Sequence, residues 1–98
     1  MNVISLKTLR NFAAVHAEVA EELLRWHRVA SRSTWRDLND VRCTFPDADQ
    51  YRRLLILNVR HNHYRLIAKV DYEAKLLMVK ALLTHDKYSR GGWKKWAP

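Results

Sequence analysis

The chain has only one cysteine, two glycines and two prolines among its 98 residues. The single cysteine, Cys43, excludes an internal disulfide framework and any metal site with several thiolates, and it predicts a small core residue in a reducing compartment. So few glycines and prolines exclude collagen-like chains, flexible linkers and low-complexity arrays. Because 48% of the residues are hydrophobic, we expect one core and a single domain over residues 1–98.

Long apolar runs are also missing. Every uncharged apolar stretch is far shorter than the roughly 18 residues that a membrane-spanning helix needs. The first residues, MNVISLKTLRNF, lack the charged and then apolar order of a secretory signal peptide. We therefore expect a soluble, cytoplasmic protein with no membrane partner.

Acidic residues are scarce in the second half of the chain. Residues 1–49 hold seven basic and seven acidic side chains, whereas residues 50–98 hold eleven basic and three acidic ones. The net charge of +8 therefore lies wholly in the second half. A basic surface on one side of a small domain predicts a polyanionic partner, most often nucleic acid. The alternative is a solvated basic face that only aids solubility.

The hydrophobic pattern of the first half is helical. After a short opening strand at residues 3–6, apolar residues recur every three or four positions, which predicts two helices with a corner near residues 16–18, or one long bent helix. Residues 35–49 are mostly polar and predict a connector with one short helical turn. Trp26 and Trp35 are expected in the core.

The second half alternates like an antiparallel sheet. The predicted strands cover residues 53–60, 64–72 and 75–83. A tight turn at residues 60–63 separates the first two strands, with Asn62 as the residue of positive φ. A short helix follows, with Thr84 as its cap and Gly91 after its end. The tail around Trp93 is expected either to be mobile or to fold back.

These elements predict an α+β domain, in which an N-terminal strand and two helices pack on an antiparallel β-sheet with a short C-terminal helix. Alternation also predicts which residues leave the sheet on its second, open face. The cations of that face are Arg65, Lys69 and Lys80; the apolar residues between them are Ile67, Met78 and Leu82. Leu83 is expected on the core face. Cations mixed with exposed apolar residues predict a contact surface for RNA phosphates or for a protein.

The common catalytic motifs are absent. No phosphate-binding loop, dinucleotide-binding turn, HExxH motif or paired catalytic carboxylates occur, and three acids in the basic half argue against a two-metal nuclease. His61 and His63 stand in a turn without further ligands, which favours polar turn residues over a zinc site. We therefore expect no metal and no cofactor.

The run THDKY at residues 84–88 is dense in chemistry. Within one helical turn it offers an imidazole, a carboxylate, an ammonium and a phenol, although a solvated helix end would look the same. Metal-free RNA cleavage needs a group to activate the 2′-OH, a group to protonate the leaving 5′-oxygen and cations to stabilise the phosphorane. The basic half supplies each of these residue types.

At this point the sequence resembles a known family. The segment NVRHNHYRLIAKVDY at residues 58–72, followed by MVKALLTHDKY at 78–88 and by Trp93, is similar to the HigB family of type II toxins, a branch of the RelE/ParE superfamily. The run FPDAD at 45–49 fits the connector of that family. The resemblance implies a RelE-like fold and an mRNA interferase, an endoribonuclease that acts on the translating ribosome and inhibits translation. It also implies a HigA-type antitoxin with a helix-turn-helix, through which the toxin reaches DNA only indirectly.

The motif positions imply the site residues. Arg65 of YRLIA and Lys80 would hold the scissile phosphate, His85 of THxxY would move the proton, and Tyr88 would assist or stack on a base. Lys80 stands where the family usually has arginine, which keeps the charge and loses the bidentate fork. The residues expected along the RNA backbone are Arg60, His61, His63, Lys69, Lys87, Lys94 and Lys95.

Two other functions stay open at the level of sequence. One is a binding module that blocks RNA or the ribosome without cutting it. The other is a ParE-like poison of DNA gyrase, since a shared fold does not fix the target. A pure binder needs the cations but not the proton-transfer set of His85 and Tyr88 beside Arg65.

Overall fold

The computed structural model describes residues 1–4, 6–61 and 63–97. Alternating polar and apolar residues form a sheet in it, and helices cover this sheet. The strands are β1 (Asn2–Ile4), β2 (Asp49–Tyr51), β3 (Leu54–Val59), β4 (Tyr64–Asp71) and β5 (Leu76–Thr84). The α-helices are α1 (Leu6–Val15), α2 (Ala20–Arg32), α3 (Leu38–Thr44) and α4 (His85–Ser89). Short 3₁₀ helices cover Ala17–Val19 and Gly92–Trp96. The predicted α+β class with a short C-terminal helix is confirmed.

The sheet has the strand order β1-β5-β4-β3-β2. The predicted antiparallel meander is its centre, because β3 pairs with β4 and β4 with β5 in antiparallel fashion. The opening strand β1 joins β5 in parallel, so that the sheet as a whole is mixed. The edge strand β2 was not predicted, because its three residues, DQY, carry no apolar alternation.

The helices α1 and α2 cover one face of the sheet. The corner predicted near residue 16 is confirmed, since α1 ends at Val15 and a 3₁₀ turn leads into α2. The core of this layer joins side chains from both helices to the sheet: Leu9, Leu23, Trp26, Leu66 and Leu77 are all buried in it. The packing of this layer places the first turn of α2 next to the hairpin between β3 and β4.

The connector holds one short helix, α3, as predicted. Trp35 is buried, with 4% of its surface exposed, and packs edge-on against the ring of Phe45. The prediction for Cys43 is wrong, because its side chain is exposed. Helix α3 buries Val41 instead, and a position two residues later on a helix faces away from the first.

A β-bulge interrupts the alternation of β5. Ile67 pairs with Ala81 and Ala68 pairs with Val79, which leaves Lys80 as an extra residue. A bulge shifts every later side chain by one position relative to the partner strand. Consequently Leu82 packs in the core under the helices, whereas Leu83 packs on the opposite face. The predicted faces of Leu82 and Leu83 are therefore wrong.

The second face of the sheet is covered rather than open around Ile67. The chain after α4 folds back, and Trp93 packs with Leu54, Ile56 and Ile67 into a second buried cluster. Gly91, at φ 75°, makes this reversal, because the left-handed region is readily adopted by glycine. The tail therefore folds back, which is the second of the two predicted alternatives.

Candidate active site

The site begins where β4 starts and β5 ends. Arg65 pairs in register with Leu83, and Tyr64 pairs with Thr84, so that α4 starts beside the beginning of β4. Thr84 caps α4, as predicted, with its Oγ accepting a hydrogen bond from the Lys87 N–H at 3.3 Å. This cap holds the first turn of α4, which contains His85 and Tyr88, next to Arg65.

Arg65 is the buried cation of the site. Only 9% of it is exposed, with its guanidinium against the Tyr88 ring, so the expectation of an exposed position is wrong. Its guanidinium carbon lies 5.1 Å from the centroid of the Tyr88 ring, and its Nη1 donates to the Tyr64 carbonyl at 3.2 Å. A cation–π contact is worth about 0.5–2 kcal/mol, so the guanidinium is oriented before any ligand binds.

Tyr88 is held by Trp93. The two rings are stacked, with centroids 5.2 Å apart and an interplanar angle of 8°, and Trp93 Nε1 donates to the Tyr88 carbonyl at 2.9 Å. Tyr51 also packs edge-on against Trp93, with ring centroids 5.6 Å apart. Successive ring contacts therefore join four residues, Arg65, Tyr88, Trp93 and Tyr51. We call this group the aromatic stack. Sequence analysis had given no role to Tyr51.

Three histidines meet beside the aromatic stack. The His85 N–H donates to the His63 carbonyl at 3.1 Å, and the exposed His85 imidazole has its Nδ1 3.4 Å from Ser89 Oγ. His61, His63 and His85 line one shallow depression of about 500 Å³, together with Thr84 and Asp86. The structure thus joins two residues predicted to contact RNA with the predicted proton shuttle.

The turn that carries His61 and His63 has an unusual backbone. Arg60 and His61 have φ values of 50° and 57°, a region that costs an L-residue other than glycine about 1–2 kcal/mol. The positive φ had been predicted for Asn62, which lies outside the described residues. Two bulky residues therefore hold the left-handed conformation at this turn, where glycine would adopt it without cost.

Two glutamates of the helical layer hold this turn. Both carboxylate oxygens of Glu22 accept from the Arg60 N–H, at 3.0 and 3.1 Å. The Tyr64 hydroxyl donates to Glu18 Oε1 at 2.6 Å; that hydrogen bond lowers the pKa of the Glu18 carboxyl and raises the pKa of Tyr64. The sequence marks neither glutamate, since acidic residues near the start of a helix are common without any tertiary role.

The structure places the remaining predicted cations on the turn, on β4 and β5, on α4 and in the tail. Lys80, exposed at the bulge, sits opposite Ile67 and Ala68, two to three residues along β4 from Arg65, or about 7–10 Å. Lys69 is half-buried further along β4. Arg60 and Lys87 are exposed. In the tail, Lys94 Nζ lies over Tyr51 and Trp93, 5.4 and 5.9 Å from the ring centroids, and Lys95 is exposed.

Within residues 1–4, 6–61 and 63–97, no group of three or more His, Cys, Asp or Glu side chains is placed to hold a metal ion.

The longest helix in those ranges, α2, has 13 residues. No helix there combines the length and the apolar character that crossing a membrane requires.

Comparison with known proteins finds one family. Residues 19–91 match the HigB toxin family, described as the RelE-like toxic component of a toxin–antitoxin system. The chain is 23% identical over 91 residues to the mRNA interferase toxin HigB of Escherichia coli K12, which covers 90% of this chain and 88% of that protein. It is 25% identical over 93 residues to the mRNA interferase HigB of Escherichia coli O6:H1, with coverages of 92% and 90%. The family match includes the histidine depression and Tyr88.

Proposed function

The chain belongs to the HigB family of RelE-like toxins of toxin–antitoxin systems, and we propose that it is a metal-independent mRNA interferase. The observation that carries this proposal is the guanidinium of Arg65, fixed over Tyr88 of the same short helix, α4, that begins with the exposed His85. A fixed cation beside a mobile proton carrier is what cleavage of a phosphodiester needs. The similar proteins of Escherichia coli are named mRNA interferases, which supports the same substrate.

Each group of the site has a role in this proposal. Arg65 stabilises charge that develops on the scissile phosphate, because its donors are already oriented. His85 transfers the proton, since histidine is suited to gain or lose one near neutral pH. Tyr88 already has Trp93 stacked on its ring and the Arg65 guanidinium over it, so it assists through its hydroxyl rather than by stacking on a base. Lys80 holds the phosphate charge together with Arg65 from its position at the bulge.

The surrounding cations would track the RNA backbone. Arg60, His61 and His63 lie in the turn beside the depression, Lys69 lies further along β4, and Lys87 is on α4. Lys94 and Lys95 extend the same positive surface into the tail, where they would reach ribosomal RNA. Such contacts to phosphate are independent of sequence and place the substrate rather than select it.

The partners follow from the family. A toxin of a toxin–antitoxin system has an antitoxin, and we propose one of the HigA type with a helix-turn-helix, which alone connects the toxin to DNA. We further propose that the toxin acts in the cytoplasm, on mRNA held by the translating ribosome.

The function is tested by inducing the chain in cells, mapping new 5′ ends of mRNA and following translation at the same time. We expect new 5′ ends within coding regions to appear together with the loss of protein synthesis. If translation stops while the mRNA stays intact, the chain is a blocker that does not cut. If mRNA stays intact and DNA breaks accumulate, the target is gyrase.

Chelation should leave cleavage intact. Only three acidic residues occur among residues 50–98, so we expect the purified chain to cut RNA at an unchanged rate in EDTA, under conditions in which ribosomes, if needed, are shown to be intact. The measurement is the cleavage rate with and without chelator. A rate that is lost on chelation and restored by zinc or magnesium would contradict the metal-independent mechanism.

A further inference from the structure

Two acidic side chains of the helical layer contact the rim of the basic site. Glu18 belongs to the 3₁₀ turn before α2 and Glu22 to the first turn of α2, and both reach the hairpin between β3 and β4, at Tyr64 and Arg60. We propose that Glu18 and Glu22 are positioning residues that hold His85 and Arg65 in their reactive arrangement. This inference rests on the proposed cleavage of RNA.

A chain of hydrogen bonds connects Glu22 to His85. The Glu22 carboxylate accepts from the Arg60 N–H. The Arg60 carbonyl accepts from the His63 N–H at 3.1 Å, and the His63 carbonyl accepts from the His85 N–H at 3.1 Å. Each bond fixes the backbone of the next residue, so the start of α4 is held against the turn that Glu22 anchors.

A second chain connects Glu18 to Arg65. The Tyr64 hydroxyl donates to Glu18 at 2.6 Å, and the Tyr64 carbonyl accepts from Arg65 Nη1 at 3.2 Å. The His16 ring packs edge-on against Tyr64, with centroids 5.1 Å apart, and its Nδ1 lies 3.8 Å from Glu18. Tyr64 is thereby held on its side-chain end by the helical layer and on its backbone end by Arg65.

The edge of β3 next to the turn explains why the turn needs an anchor. β2 pairs only with residues 54–56 of β3, and among the described residues no strand lies beside the rest of that edge. Glu22 supplies the acceptor that a neighbouring strand would give to the Arg60 N–H. It does so where Arg60 and His61 take the left-handed conformation, which needs support from surrounding contacts.

The test compares Glu22→Ala with Glu22→Gln and with Glu21→Ala. Glutamine keeps an acceptor oxygen for the Arg60 N–H, and Glu21 is an exposed neighbour on the same helix. We expect kcat for RNA cleavage to fall about tenfold or more in Glu22→Ala, since a displacement of about 1 Å in a reacting group can cost about a hundredfold. KM should rise less than kcat falls, because only Arg60, His61 and His63 lie in the anchored turn and the other proposed RNA-contacting cations keep their places. Glu22→Gln should recover most of the rate, and Glu21→Ala should match the parent chain.

The backbone amide signals of His63 and His85, followed by NMR in the same variants, give a readout that does not depend on activity. They should shift in Glu22→Ala and stay near their parent positions in Glu22→Gln and Glu21→Ala. Unchanged amide signals, or an unchanged kcat in folded Glu22→Ala, would overturn the positioning role. Should the parent chain fail to cleave RNA, the proposed function fails, while the amide shifts still decide whether the anchor exists. The parallel variant Tyr64→Phe tests the second chain through the Arg65 side-chain signals, which should shift.

Discussion

Replacing His85 by alanine should abolish toxicity while the protein stays folded. The imidazole is exposed and its described contact, 3.4 Å from Nδ1 to Ser89 Oγ, lies on the surface, so its loss costs little stability. If His85 carries the proton in the rate-limiting step, the cleavage rate should fall by about 10²–10⁴-fold. The assay is growth after induction together with the cleavage rate of the purified chain, and thermal melting is the folding control.

Replacing Arg65 by alanine should be as severe for activity. Loss of a preorganised donor in the transition state costs about 2.7–4 kcal/mol, or a rate factor of about 10²–10³. Arg65→Lys keeps the charge without the bidentate fork and should recover only part of the rate. Because Arg65 is buried over Tyr88, its variants also need the melting control, which makes His85 the cleaner of the two positions.

Matched controls separate these effects from a general loss of charge or of an imidazole. Arg90→Ala removes an exposed arginine just after α4, and His27→Ala removes a half-buried histidine of α2. Both should leave cleavage near the parent rate. Folded His85→Ala and Arg65→Ala proteins that stay fully toxic would refute the catalytic assignment and favour a blocker that does not cut.

The sequence predicted the meander because its strands alternate, and it predicted α4 because Thr84 is a good cap. It could not predict the bulge at Lys80. The segment VKALL is apolar at both parities after Lys80, so a slip of one residue buries leucine on either face. Leu82 and Leu83 therefore lie on the faces opposite to those predicted, and nothing in the sequence indicates this.

The covered second face did have a signal. The run LLILNV of β3 is apolar at both parities, and its first four residues are all buried. Continuous apolar runs are typical of strands that are buried on both faces. What the sequence could not supply is the partner, because contact between β3 and Trp93 depends on how the chain turns at Gly91.

The residues of the site also fall into two groups, those at motif positions of the sequence and those that only the fold brings together. Arg65, His85 and Tyr88 stand at motif positions, which is why the sequence predicts them as site residues. Glu18 and Glu22 stand at none, and they reach the site through contacts 46 and 38 residues apart in the chain, respectively. Contacts of that sequence separation depend on the packing of α2 against the hairpin, which no local pattern encodes.

Replacing Trp93 by alanine should give the largest loss of stability that can be assigned to the tail. Trp93 is 5% exposed and packs on Leu54, Ile56 and Ile67, so we expect a loss of about 3–5 kcal/mol, the usual cost of truncating a buried tryptophan. Trp96→Ala is the matched control, because Trp96 lies in the same 3₁₀ helix and is only half-buried; it should cost clearly less. Urea denaturation measures both. Trp93→Phe should restore part of the stability, yet leave cleavage below the parent rate, since the ring that orients Tyr88 is smaller and lacks the Nε1 donor to the Tyr88 carbonyl. Trp96 packs on the edge of the same cluster, so only a small loss in Trp93→Ala, no larger than that in Trp96→Ala, would show that the tail does not form a second core.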